Sequence, residues 1–164
     1  MPEMNSGNKS SVAKFVGSLA LTLGTGLVAG LFSMNAKAVY GSLKMPAFAP
    51  PAWIFAPIWI ILYILMGISF FLIIRHGTKT PGVKSAVFYF CLQLFFNLLW
   101  SVLFFTLGLY AAALVDIIIL LFYIIVTIYK SYKIDKTAAI LMLPYLIWVA
   151  YAAALNFAIV LLNM

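Results

Sequence analysis

Four stretches of this chain carry no charged residue: 15–36, 45–74, 85–115 and 137–164. A helix needs roughly 20 apolar residues to cross the hydrocarbon of a bilayer. No water reaches that layer, so backbone groups there must bond within their own segment, which selects helices. Composition agrees: 66% of the residues are hydrophobic and 8% charged, where a soluble domain has about 25% charged. The 85–115 run is too long for one span, and "TLGLYAA" (Thr106 to Ala112) supplies a glycine break inside it. The sequence therefore predicts an all-α membrane protein, a five-transmembrane-helix bundle in one membrane domain. Its helices fall at about 15–33, 54–74, 85–106, 109–129 and 138–162.

The basic residues orient the spans. With five crossings, Lys9, Lys14, Arg75, Lys79, Lys84, Lys130, Lys133 and Lys136 share one side, and only Lys37 and Lys44 lie on the other. Positive charge gathers on the cytoplasmic side, which puts the N-terminus in the cytoplasm and the C-terminus outside. The net charge of +7 then reflects topology, and no nucleic-acid partner is implied because the cations flank spans. The first run ends near "AKA", Ala36 to Ala38, as a cleaved leader would. It exceeds the roughly 7–15 residues of a leader's apolar region, and "GLVAG" with Thr22 one turn earlier makes a small-residue face suited to close packing. Both readings put a helix here, and the uncleaved span is preferred.

The one long connection is 34–52, "MNAKAVYGSLKMPAFAPPA". Pro46, Pro50 and Pro51 stiffen it, while Tyr40 and Phe48 give it apolar area. It reads as a semi-rigid flap over the outer end of the bundle, with an interfacial aromatic anchor as the alternative.

Three or four residues advance a helix by about one turn, so spaced rings share a face. Phe55, Trp59 and Tyr63 do so on span two, and Gln93, Asn97, Trp100 and Phe104 on span three. Asp116, Tyr123 and Thr127 follow on span four, and Tyr145, Trp148, Ala152 and Leu155 on span five. Polar groups facing lipid are costly, which turns these faces inward. Rings mixed with amides suit a pocket for a large flat apolar ligand; the same residues also serve as interhelical hydrogen-bond glue and packing. Asp116 is the one carboxylate expected inside the membrane, and a structural hydrogen bond fits it better than proton pumping, which wants a second titratable site. His76 and Cys91 stand alone, so no metal ligand set exists, and no phosphate loop or Ser-His-Asp set appears.

"PPAWIFAPIWIILYILMG" (Pro50 to Gly67), "QLFFNLLWSVLFF" (Gln93 to Phe105), "ALVD" (Ala113 to Asp116) and "PYLIWVAYAAALN" (Pro144 to Asn156) resemble the translocator protein family, TspO/MBR, in order and spacing over nearly the whole chain. The resemblance implies a homodimeric bundle in a bacterial cytoplasmic membrane that binds porphyrins, haem, sterols or drug-like aromatic amides under its first loop. It needs no other cofactor. Carried over, Tyr40, Trp59, Tyr63, Asn97, Trp100, Trp148, Ala152 and Leu155 form the pocket, with Phe55, Gln93 and Asp116 added from the faces above. Some bacterial members degrade protoporphyrin in light, which would make Trp59 and Trp148 photochemical residues.

Departures from the family pattern bear on those roles. Its Lys-Pro-x-Trp loop reads Met45-Pro46-Ala47-Phe48 here, Val39 stands where relatives have a tryptophan before Tyr40, and Ala112 replaces another. Phe157 follows Asn156 with no later charge, so the mammalian cholesterol motif is lost; Val126, Tyr129 and Lys133 match such a motif only formally. Receptor or carrier, light-dependent enzyme, and membrane-stress scaffold are the functions that remain.

Overall fold

The computed structural model describes residues 4–164, with side chains from Lys9 onward. Among the described residues there is no strand, and the helices are α1 (Met4–Phe32), α2 (Ala36–Ser42), α3 (Phe55–Ile74), α4 (Val83–Ser101), α5 (Tyr110–Tyr132), α6 (Lys136–Leu141) and α7 (Leu143–Asn163). Five spans are long and apolar enough to cross a membrane, the last formed by α6 and α7 together. The protein is an all-helical, multi-pass membrane protein.

The expected spans recur with corrected details. α1 begins well before residue 15. Span five is broken at Met142, because Pro144 sits in the first turn of α7 and leaves no amide to continue the ladder from α6. Span three ends in a π-helical turn over Val102–Thr106, closed by the amide of Leu107 donating to Val102 O at 3.0 Å. Gly108, at φ +64°, then turns the chain into α5 in a conformation that costs a side-chain-bearing residue energy.

Neighbour packing runs α1–α3–α6/α7–α5–α4 and back to α1, which closes a ring of five spans. Apolar side chains fill its lysine-rich half, where Met66, Ile73, Val83, Ala86, Phe90, Ile124, Ala138 and Met142 are fully or almost fully buried. α1 meets α3 closely there: a Cβ placed on Gly67 would lie 2.7 Å from both Leu19 Cδ2 and Thr22 Oγ1 and 3.2 Å from Leu19 Cα. Thr22 is thus a true close-packing position of the small-residue face.

Polar clasps fasten this end. Ser69 Oγ donates to Ala138 O at 2.8 Å. Asp135 caps α6 by accepting from Ala138 N at 3.1 Å and accepts from Arg75 Nη2 at 2.8 Å; His76 Nε2 lies 3.5 Å away. Desolvation raises the Asp135 pKa, but the Ala138 amide, His76 and Arg75 outweigh it and hold the carboxyl below its ordinary value.

At the other end, residues 34–52 are not the loop expected throughout, since α2 occupies their first half. Proline is absent until Pro46, and the preceding residues tolerate a helix. The second half is fastened at two points. Tyr151 donates its hydroxyl to Phe48 O at 2.8 Å. The Asn163 side chain grips Lys44 twice, accepting from its amide at 3.0 Å and donating to its carbonyl at 3.1 Å.

Candidate functional site

Between α1, α2, α3 and the end of span three lies a cavity of about 670 Å³. Tyr40 of α2 roofs it. Phe55, Trp59 and Tyr63 line the α3 wall in the register that their spacing gave them, and Trp100 and Phe105 face them from span three. Phe55 meets Tyr40 edge-on at 5.5 Å between centroids, and Trp59 meets Tyr63 at 5.6 Å. Burial, with Tyr151 nearby, raises the Tyr40 phenol above its ordinary range, so the roof is neutral.

The remaining wall is α1, through Leu23, Gly26, Ala29, Gly30 and Ser33. Its glycines were expected to serve helix packing; Gly26 does so, closely against α3, while Gly30 makes room. A Cβ on Gly26 would strike the Tyr63 ring at 2.5 Å, whereas one on Gly30 meets nothing within 4 Å. Nothing in the apolar run of α1 marked it as a cavity wall except this recurrence of Gly26, Ala29 and Gly30. Leu27, Leu31 and Ile60 line the same space while being 73%, 67% and 56% exposed. The cavity therefore opens sideways, toward the acyl chains, as well as beneath α2.

Polar side chains lie behind its wall. Tyr63 donates its hydroxyl to Asn97 Oδ1, and Asn97 Nδ2 donates to the Tyr145 hydroxyl at 3.2 Å, which links spans two, three and five. Trp100 Nε1 donates to Asn156 Oδ1 at 3.2 Å, and Asn156 Nδ2 donates to Tyr110 O at 2.9 Å. Asn97, Tyr145 and Asn156 are thus interhelical glue behind the cavity wall and do not line the space. Gln93 and Asp116 are buried but away from the cavity wall, and their side-chain polar atoms have no hydrogen-bond partner among the described residues. A hydrogen-bonding partner for Asp116, expected from the sequence, is not seen.

Span five stands apart from the main cavity. Ala152 and Leu155 border a second space of about 10 Å³, shared with Tyr40, Phe55, Trp100 and Phe105. Trp148 lines neither space; its ring lies 5.6 Å from that of Phe55, edge-on, and its Nε1 is buried without a partner. The eleven expected site residues thus divide. Tyr40, Phe55, Trp59, Tyr63 and Trp100 surround the cavity, and Asn97 holds the Tyr63 hydroxyl from behind the wall. Ala152 and Leu155 sit behind an aromatic partition, and Trp148, Gln93 and Asp116 lie outside. Tyr123, read as inward, sits at the bundle edge, stacked on Phe96 at 5.2 Å.

Residues 18–162 match the profile of the TspO/MBR family. The chain belongs to that family. The tryptophan-rich protein TspO of Archaeoglobus fulgidus is 40% identical over 154 residues, 93% of this chain and 99% of its own. The tryptophan-rich sensory protein of Cereibacter sphaeroides is 32% identical over 124 residues, 76% of each chain. The translocator protein of Sus scrofa is 35% identical over 122 residues, 73% of this chain and 72% of its own. The names of these TspO/MBR relatives include a sensory protein and a translocator protein.

Proposed function

We propose that this TspO/MBR protein is a membrane receptor or carrier for flat apolar molecules, porphyrins and haem among them, held in the cavity under α2. The supporting observation is the 670 Å³ cavity walled by Tyr40, Phe55, Trp59, Tyr63 and Trp100, a size within the usual range of about 300–1,000 Å³ for small-molecule sites. Rings on facing walls suit a planar guest by offset or edge-on contact. Lys37 and Lys44 are exposed at the mouth and offer cations to propionate groups. The proposal extends to a homodimer in a bacterial cytoplasmic membrane, with the lysine-rich end inside.

Titrating protoporphyrin into purified protein should quench tryptophan fluorescence saturably. Ala29→Phe, which fills the cavity, and Trp59→Leu should each weaken binding by roughly tenfold or more, about 1.4 kcal/mol. Saturable binding with unchanged affinity in both variants defeats the reading.

Light-dependent porphyrin breakdown is a second reading, favoured by Trp59 in the cavity wall and disfavoured by Trp148, which does not line it. Illuminating the complex separates the two: a new chromophore that Trp59→Phe abolishes supports an enzyme, and bleaching at the rate of free porphyrin supports binding alone.

A further inference from the structure

Three acidic residues face ten basic ones in this chain, and neither described acid pairs with a lysine. Asp135 is engaged by Arg75 and His76. Asp116 is buried on α5, 14 residues and about 21 Å of helix from Lys130. Among the described residues no carboxylate lies within ion-pair range of Lys130, Lys133 or Lys136, which cluster where α5 gives way to α6.

These three lysines share a local arrangement. Lys130 Nζ stands 5.9 Å from the centroid of Tyr89, Lys133 Nζ 4.4 Å from Tyr129, and Lys136 Nζ 5.6 Å from Tyr132. A ring face attracts the ammonium and fixes its height above the helix. Tyr129 and Tyr132 are themselves 57% and 54% exposed. Toward the membrane centre the same side of α5 presents exposed Phe122 and Ile125. The surface therefore passes from hydrocarbon side chains to phenols to ammonium groups within a few turns. A phospholipid presents the complementary sequence: acyl chains, ester and glycerol oxygens, then phosphate. Helix-dipole compensation explains a lysine in the last turn of α5 but not Lys136, which opens α6, where the dipole disfavours a cation.

We propose that the Lys130–Lys133–Lys136 face, with Tyr129 and Tyr132, is a binding site for the headgroup of an anionic phospholipid in the leaflet at the lysine-rich end. Juxtamembrane lysines attract anionic lipid generally; the tyrosine-held cluster gathers that attraction at one place. The site is independent of the cavity and of what the cavity binds.

Native mass spectrometry of the full chain, titrated with phosphatidylglycerol or phosphatidylcholine, tests it. The protein should retain phosphatidylglycerol preferentially, and each Lys→Gln change at 130, 133 and 136 should weaken retention by roughly fivefold. The triple change Lys9→Gln, Lys14→Gln, Lys79→Gln removes the same charge from the same end and should leave retention nearly intact. The exposed single variant Lys133→Gln serves if the triple variant of the cluster does not fold. Tyr129→Leu with Tyr132→Leu, which keeps every charge, should also lower the preference. Equal retention of the two lipids, or equal loss in the two triple variants, overturns the proposal.

Discussion

At the lysine-rich end α1 lies against α3 with Thr22 and Leu19 pressed onto Gly67; toward the other end the same two helices stand apart around 670 Å³ of space. Both contacts use glycine, with opposite results. Gly67 removes a side chain so that a backbone can approach, while Gly30 removes one so that nothing does. The closed end is also clasped by Asp135 and Ser69, whereas the open end is spanned by α2 and held by Tyr151 and Asn163. A small residue in a span is therefore ambiguous until its neighbour is known.

The comparison breaks most readily at Gly67. Gly67→Val drives methyl groups into Leu19 and Thr22, and overpacking of this kind should cost about 3 kcal/mol, seen as a lower melting temperature in detergent. Asn97→Leu attacks the boundary between the halves by stranding the buried hydroxyls of Tyr63 and Tyr145. It should cost about 2 kcal/mol by the same measurement and loosen the Tyr63 side of the cavity wall. Asp135→Ala removes the cap and clasp of the closed end, worth about 1 kcal/mol. Folding lowers the Asp135 pKa below its ordinary 3.8, so the ionised carboxylate stabilises above that pH. The contribution fades as pH falls from there through the lowered value, and melting curves in acid should converge for wild type and variant. Gly30→Ala is the smallest change: with nothing near its Cβ, it should be neutral or stabilise by up to about 0.5 kcal/mol. Destabilisation there as large as at Gly67 would erase the distinction.

The fold was legible because charge-free runs in lipid leave few options, and ring spacing on spans two and three told which side faces inward. Gln93, Asn97, Trp100 and Phe104 are all buried as that spacing required. The wall supplied by α1 was not legible, since an apolar small-residue run reads alike whether it meets lipid, a helix or a void. Nor was the break at Met142: Pro144 removes one backbone donor whether a span kinks or divides, and residue spacing does not choose between the two. The π turn at Val102–Thr106 left no mark in the spacing. That Trp148 does not line the main cavity depends on how the rings around it pack, which pattern cannot give.

The double grip of Asn163 on Lys44 has a practical side. An affinity tag or fluorescent fusion joined directly after Met164, or a trim of the last two residues, would tug on the strap that steadies the mouth. Melting or ligand-binding measurements made with such a handle would then report the handle as much as the protein.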